Sequence, residues 1–221
     1  MDHRAKRDVP QNGQHNAAHA PTVVELSAQD LRRRLNEALS IYVAAMDYPR
    51  GTEHHRAPMW AEHISRPGWR AVGAFLNDPL TFPDSRDNPL VAIGYGYRGA
   101  PHQWWHQQVY SGMRSAGWPE EATHETLSNY FELTELHVHP GAQGHRLGET
   151  ILRRLMHDRP ERSILLSTPE VYGEDNRAWR LYRRLGFRDV VRQFTFTGDS
   201  RPFAVLGRSL PLPSTVRAPA S

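Results

Sequence analysis

No cysteine occurs anywhere in the 221-residue chain. That excludes a disulfide framework, a thiol nucleophile and a thiolate-ligated metal, and nothing in the composition calls for an oxidising compartment. Lysine is almost as scarce, with Lys6 its single instance. The basic pI of 9.4 therefore rests on arginine, and the formal charge stays at +3 because acids are interleaved with the arginines. Basic residues gathered on one face are missing, so nucleic-acid binding is not expected. No apolar run approaches the length of a membrane span, and the N-terminus lacks the apolar core of a signal peptide. A cytoplasmic soluble protein without membrane partners is the expectation. No internal repeat or change of composition divides the chain, so one domain is expected over residues 21–210, between a disordered tail at 1–20 and a flexible tail at 211–221.

What the chain does contain is organised around residues 133–156, LTELHVHPGAQGHRLGETILRRLM. The pattern predicts a strand ending at Val138, a tight turn at Pro140-Gly141, a glycine-bearing loop, and a helix with Leu147, Ile151, Leu152, Leu155 and Met156 on one stripe. Strand, loop and helix in that order make an anion site. The first amides of a helix lack intrahelical partners and its dipole is positive there, so Gln143, Gly144, His145, Arg146, Leu147 and Gly148 can receive a phosphate group.

Elsewhere the sequence predicts a strand at 22–26, then a capping box of Ser27 and Asp30 opening an amphipathic helix that runs to about residue 49. A second helix is expected at 53–66, and antiparallel strands at 69–76 and 90–97 across a Pro/Asp/Asn-rich connector. Residues 98–128 form an aromatic-rich insertion holding Trp104, Trp105, Tyr110 and Trp118, with a short helix expected at 103–115. Further on come a buried strand at 163–168, a helix at 174–185 capped by Gly186, and a hairpin of strands at 187–196 and 203–210.

Two blocks resemble the GNAT acetyltransferase superfamily. Leu136-His137-Val138-His139-Pro140 followed by Gln143-Gly144-His145-Arg146-Leu147-Gly148 is similar to that family's strand and its Gln/Arg-x-x-Gly-x-Gly/Ala loop, although Arg146 stands where the first loop glycine is usual. Residues 176–187, NRAWRLYRRLGF, resemble its Asn-x-x-Ala-x-x-Leu-Tyr-x-x-x-Gly-Phe segment, with Asn176 one residue closer to Ala178 than the pattern has it. The resemblance implies an α/β GNAT fold: a mixed, mostly antiparallel twisted sheet flanked by helices on both faces and splayed near its middle. It implies acetyl-coenzyme A as cosubstrate and acetyl transfer to a primary amine, on a small molecule or a peptide, by direct attack. A coenzyme A-binding regulatory or interaction protein that keeps the fold with little turnover is the alternative.

By the same resemblance the amides of residues 143–148 hold the pyrophosphate, the main chain of Leu136, His137 and Val138 pairs with the pantetheine arm, Asn176 contacts the coenzyme, and Tyr182 is the general acid. For the base the residues offer Glu132 and Glu135. Their odd separation on a strand predicts opposite faces, and Glu135, nearer the loop, is favoured; His137 on its face, or a water, is the alternative. Trp104, Trp105, Ser167 and Thr168 are candidate acceptor contacts, an aromatic wall being suited to a cationic amine. The tryptophans and the C-terminal hairpin are equally candidate homodimer surfaces. His137 with His139, and His102 with His106, have metal-ligand spacing, but neither pair has companions, and no metal is expected.

Overall fold

The computed structural model describes residues 20–77 and 88–212. Most of the expected tails, and most of the connector before residue 90, lie outside the described residues. β1 (Thr22–Leu26) leads into α1 (Ala28–Arg33), and Ser27 caps it as the capping box predicts, with Asp30 N–H donating to Ser27 Oγ at 3.1 Å and Ser27 N–H to Asp30 Oδ2 at 3.0 Å. The single helix expected to follow is two. It breaks at Arg34, and α2 (Leu35–Met46) continues. Both pieces bury one apolar series, Leu31, Ala38, Leu39 and Tyr42, so the break leaves the hydrophobic period intact and leaves no mark in the sequence.

The order then runs α3 (Thr52–His63), β2 (Arg70–Phe75), β3 (Leu90–Arg98), α4 (Trp104–Ser115), α5 (Glu120–Ser128), β4 (Tyr130–Val138), α6 (Leu147–Met156), β5 (Ser163–Pro169), α7 (Arg177–Arg184), β6 (Arg188–Phe194) and β7 (Phe203–Ser209). The insertion thus holds a second helix, α5, absent from the sequence reading. Pro119 followed by Glu120 and Glu121 is its start signal, and it buries only Thr123 and Leu127, too few to register as a stripe.

The seven strands form one sheet in the order β1-β2-β3-β4-β5-β7-β6, antiparallel except for β4 beside β5. The expected mixed, mostly antiparallel sheet is therefore present, and helices lie on both faces. On one face α6 and α7 pack Ile151, Leu152, Leu155, Trp179 and Leu181 against Val72, Ala92, Leu133, Ile164 and Leu206. On the other, α1 to α3 cover Ile93, Tyr95 and Tyr97, while α4 and α5 cover Tyr130, Leu165 and Val205.

Two irregularities at β4 shape the centre of the sheet. First, β4 and β5 pair over only three positions, Tyr130 with Ser163, Phe131 with Ile164 and Glu132 with Leu165. Beyond them β4 stays with β3 and β5 with β7, so the sheet splits where β4 heads for the loop. Second, β4 carries a bulge: Tyr95 opposes Glu135 and Gly96 opposes Leu133, which leaves Thr134 as the extra residue. Gly96 makes the bulge possible, because a Cβ there would lie 2.1 Å from the carbonyl oxygen of Glu132.

Candidate active site

The bulge corrects one sequence expectation. Glu132 and Glu135 do not lie on opposite faces. The extra residue between them restores the alternation, so both carboxylates point to the face covered by α3, opposite Tyr97 and Tyr95. His137 shares that face, as expected, and its Nε2 lies 2.5 Å from Glu135 Oε2.

Each carboxylate has its own surroundings. Trp60 of α3, fully buried, donates from Nε1 to Glu135 Oε1 at 3.2 Å, so Glu135 is held from α3 and from its own strand. Tyr42 of α2 packs edge-on to the His137 ring at 5.0 Å and fixes its plane. Glu132 is buried more deeply. Tyr97 donates to its Oε1 at 3.0 Å, Arg66 donates in turn to Tyr97 Oη at 2.6 Å, and Oε2 is buried without a hydrogen-bonded partner among the described residues. Burial raises its pKa to about 7, against the pull of the Tyr97 hydrogen bond and the Arg66 charge, and the nearby charge of Glu135 adds to the rise. A carboxyl poised there exchanges its proton near neutrality.

Tyr182 lies on the opposite face of the sheet, in the core beneath α6 and α7. It is the sixth residue of α7, a helix opened by Asn176, whose Oδ1 accepts from Trp179 N–H at 2.9 Å. The helix closes with Phe187 N–H on the Tyr182 carbonyl at 3.0 Å and Gly186 N–H on that of Arg183 at 2.9 Å, the paired bonds of a Schellman stop. These caps fix where Tyr182 stands. Its side chain is buried, and burial, then the charge of Glu135, push its hydroxyl pKa well above the ordinary value, so it stays protonated at neutral pH. A protonated hydroxyl on one face of the sheet thus feels the charge of a carboxylate on the other.

At the end of β4 the chain makes a single 3-10 turn over Pro140–Ala142 and enters the loop. Among the described residues no backbone N–H from Gly144 to Glu149 has a hydrogen-bonded partner. Gly144 sits at φ +97° and Arg146, the N-cap of α6, at φ +56°. Arg146 therefore takes the left-handed backbone that glycine would supply at that place, and the departure from the usual loop pattern leaves the turn intact. A Cβ at Gly148 would meet protein atoms at no less than 3.4 Å, so the protein's own packing does not demand glycine there, and the missing side chain keeps the helix start open from outside. Free amides, a positive helix end and a strand edge that β5 leaves without a ladder at Leu136 to Val138 fit a ligand with a pyrophosphate and an amide-bearing arm. Gln143 turns inward, donating from Nε2 to the Val138 carbonyl at 3.3 Å, while the His145 side chain is exposed.

Of the acceptor candidates, Trp105 and Ser167 come together, Trp105 Nε1 donating to Ser167 Oγ at 3.2 Å where β5 leaves β4. Thr168 beside them is buried. Trp104 does not join them: one position along α4 it faces away, 52% exposed and packed on Phe196 at 5.6 Å. Sequence reasoning missed Trp60, Tyr97 and Arg66, whose only signal was a buried aromatic or a basic residue at helical or strand spacing. His106 is engaged with Tyr130 Oη at 3.1 Å, and among the described residues no group of three or more His, Asp or Glu is arranged to hold a metal ion. No described helix is long and apolar enough to cross a membrane.

Comparison with known proteins bears on the fold and the family. Residues 69–187 match the model of the Acetyltransferase (GNAT) family. The chain is 52% identical over 202 residues to a GCN5-like protein acetyltransferase of Mycobacterium tuberculosis, covering 86% of this chain and 98% of that one. Among solved structures, an acetyltransferase from Thermus thermophilus superposes with a TM-score of 0.52 at 16% identity, over 87% of this chain and 99% of its own. The PaiA N-acetyltransferase of Thermoplasma acidophilum, solved in complex with coenzyme A, does so with 0.51 at 14%, over 86% and 99%. At those identities the structures speak for the fold. The family match and the mycobacterial relative settle the rest: the chain belongs to the GNAT acetyltransferase family and is an acyltransferase.

Proposed function

We propose that the protein moves the acetyl group of acetyl-coenzyme A directly to a primary amine carried by a protein. The observation that carries the reading is the loss of β4–β5 pairing beyond Glu132 and Leu165, on a strand that carries Glu135 and runs on into six amides without a hydrogen-bonded partner among the described residues. The acceptor class is supported by the name of the mycobacterial relative, a protein acetyltransferase.

Acetyl-coenzyme A supplies the activated thioester. The amides of Gly144 to Glu149 would hold its pyrophosphate, Gln143 having its N–H on the Pro140 carbonyl and its Nε2 on that of Val138, and the edge of β4 left by β5 at Leu136, His137 and Val138 would align the pantetheine arm. Glu135, braced by Trp60 and His137, takes the proton of the attacking amine, directly or through a water, and Glu132, which exchanges its proton near neutrality, can pass that proton on once it is ionised. Tyr182 returns a proton to the departing thiolate. With no cysteine in the chain the amine attacks without an acyl-enzyme thioester. Trp105 and Ser167 would form the far wall of the acceptor cleft, where an aromatic face suits an ammonium group before it is deprotonated. Asn176 would serve as both helix cap and coenzyme contact.

The test is the rate of thiol release from acetyl-coenzyme A with lysine-bearing and N-terminal peptides, comparing wild type with Tyr182→Phe and Glu135→Gln. Each variant should lose about 10²-fold in kcat, the range expected for one positioned acid or base, with little change in KM for acetyl-coenzyme A. A Tyr182→Phe enzyme with undiminished kcat would remove Tyr182 as the acid. Failure of every peptide, alongside turnover of free polyamines or aminoglycosides, would move the acceptor from proteins to small molecules.

A further inference from the structure

A carboxylate lies where an anion-binding loop has least use for one. Glu149 is the third residue of α6, inside the run of free amides, and its side chain is 9% exposed. Its Oε2 accepts from Arg146 Nη2 at 3.2 Å and Arg184 Nη2 at 2.9 Å, and its Oε1 from Arg153 Nε at 3.0 Å. One carboxylate thus gathers guanidinium groups from the loop, from the second turn of α6 and from the end of α7. Burial acts to raise its pKa, but the hydrogen bonds from Arg184, Arg153 and Arg146 outweigh it and hold the group below the ordinary carboxylate range. It is ionised at neutral pH and holds three guanidinium groups at once.

Charge alone argues against this arrangement, because an ionised carboxylate repels a phosphate. Geometry argues for it. Arg146 and Arg184 have side chains 74% and 52% exposed, and free guanidinium groups of that kind sweep a wide volume. Glu149 engages one nitrogen of each, which leaves the rest of each fork for phosphate oxygens. The left-handed backbone of Arg146 keeps the root of its side chain at the loop.

We propose that Glu149 is a positioning residue for coenzyme binding, holding Arg146, Arg153 and Arg184 as a pre-oriented cationic collar beside the amides of Gly144 to Glu149. This rests on the coenzyme assignment made above. The two explanations of Glu149 predict opposite signs. If it orients the collar, Glu149→Gln, which keeps the shape and removes the charge, should weaken binding about tenfold. If it is only a misplaced negative charge, the same substitution should tighten binding.

The experiment is calorimetric titration of the full-length chain with coenzyme A, for wild type, E149Q, R146M and the double variant, with the unfolding midpoint of each recorded. Orientation through Arg146 requires a double variant little weaker than R146M alone. E149Q binding that is equal to or tighter than wild type, at an unchanged midpoint, overturns the proposal while leaving the coenzyme assignment standing. A wild-type chain that does not bind coenzyme A overturns the assignment, and the proposal with it. Should E149Q fail to fold, R184M at the exposed end of α7 decides: several-fold weaker binding is expected, and unchanged affinity overturns the collar.

Discussion

Replacing Glu132 by glutamine should stabilise the protein, and by more as the pH rises. The carboxyl is buried, lacks a partner for one oxygen, and has its pKa raised from 4.5 to about 7. The folded chain therefore holds this proton more tightly than the unfolded one. Below pH 4.5 both states are protonated and the fold keeps its full stability; as pH rises the unfolded chain ionises first, stability falls, and the loss levels off above 7. At ~1.4 kcal/mol per pH unit the whole loss is about 3 kcal/mol. Glutamine keeps the shape, still accepts from Tyr97, and carries no titrating proton. The difference in unfolding free energy between variant and wild type should thus widen in the variant's favour by about 2.5 kcal/mol between pH 5 and pH 8. Urea titrations at the two pH values read it directly, provided the m-value is unchanged. A difference that does not move with pH, or moves against the variant, would refute the assignment of Glu132 as a carboxylate that the fold holds at a cost. The same proton should appear in turnover: the wild-type rate rises through about pH 7 as Glu132 ionises, and that limb is absent from the variant.

Two further substitutions test the supports of the site. Gly96→Ala would drive a methyl group into the Glu132 carbonyl at 2.1 Å, so the bulge must deform; a loss of about 3 kcal/mol is expected by denaturant unfolding, with loss of turnover, and a variant of wild-type stability would show that the bulge does not depend on this glycine. Asn176→Ala removes the cap on Trp179 N–H and should cost about 1 kcal/mol; a weakened affinity for coenzyme A measured on the same protein separates a coenzyme contact from capping alone.

Most of the scaffold was legible in the order of residues. Local rules were enough for the Ser27–Asp30 capping box, the apolar stripe of α6, the Gly186 stop after α7 and the terminal hairpin, since each depends on residues a few positions apart. The free amides from Gly144 to Gly148 were legible because a helix start needs nothing beyond the chain's own order, whereas Gln143, also expected there, places its N–H on the Pro140 carbonyl; the place of Tyr182 on the apolar face of α7 was legible from helical spacing. Packing between distant elements settled the rest, beginning at β4. The strand period puts Glu132 and Glu135 on opposite faces, and that inference fails because of one extra residue, Thr134, whose presence depends on how β4 meets Gly96 on a strand more than thirty residues away. Trp60, Tyr97 and Arg66 came to the two carboxylates from other elements, and Trp105 reached Ser167 across 62 positions. The Glu149 collar likewise draws Arg184 from 35 residues downstream. Patterns of 2 and 3.6 residues encode which side of an element is apolar; they carry no information about which polar side chains meet when the elements pack, and the proposed chemistry depends on those meetings.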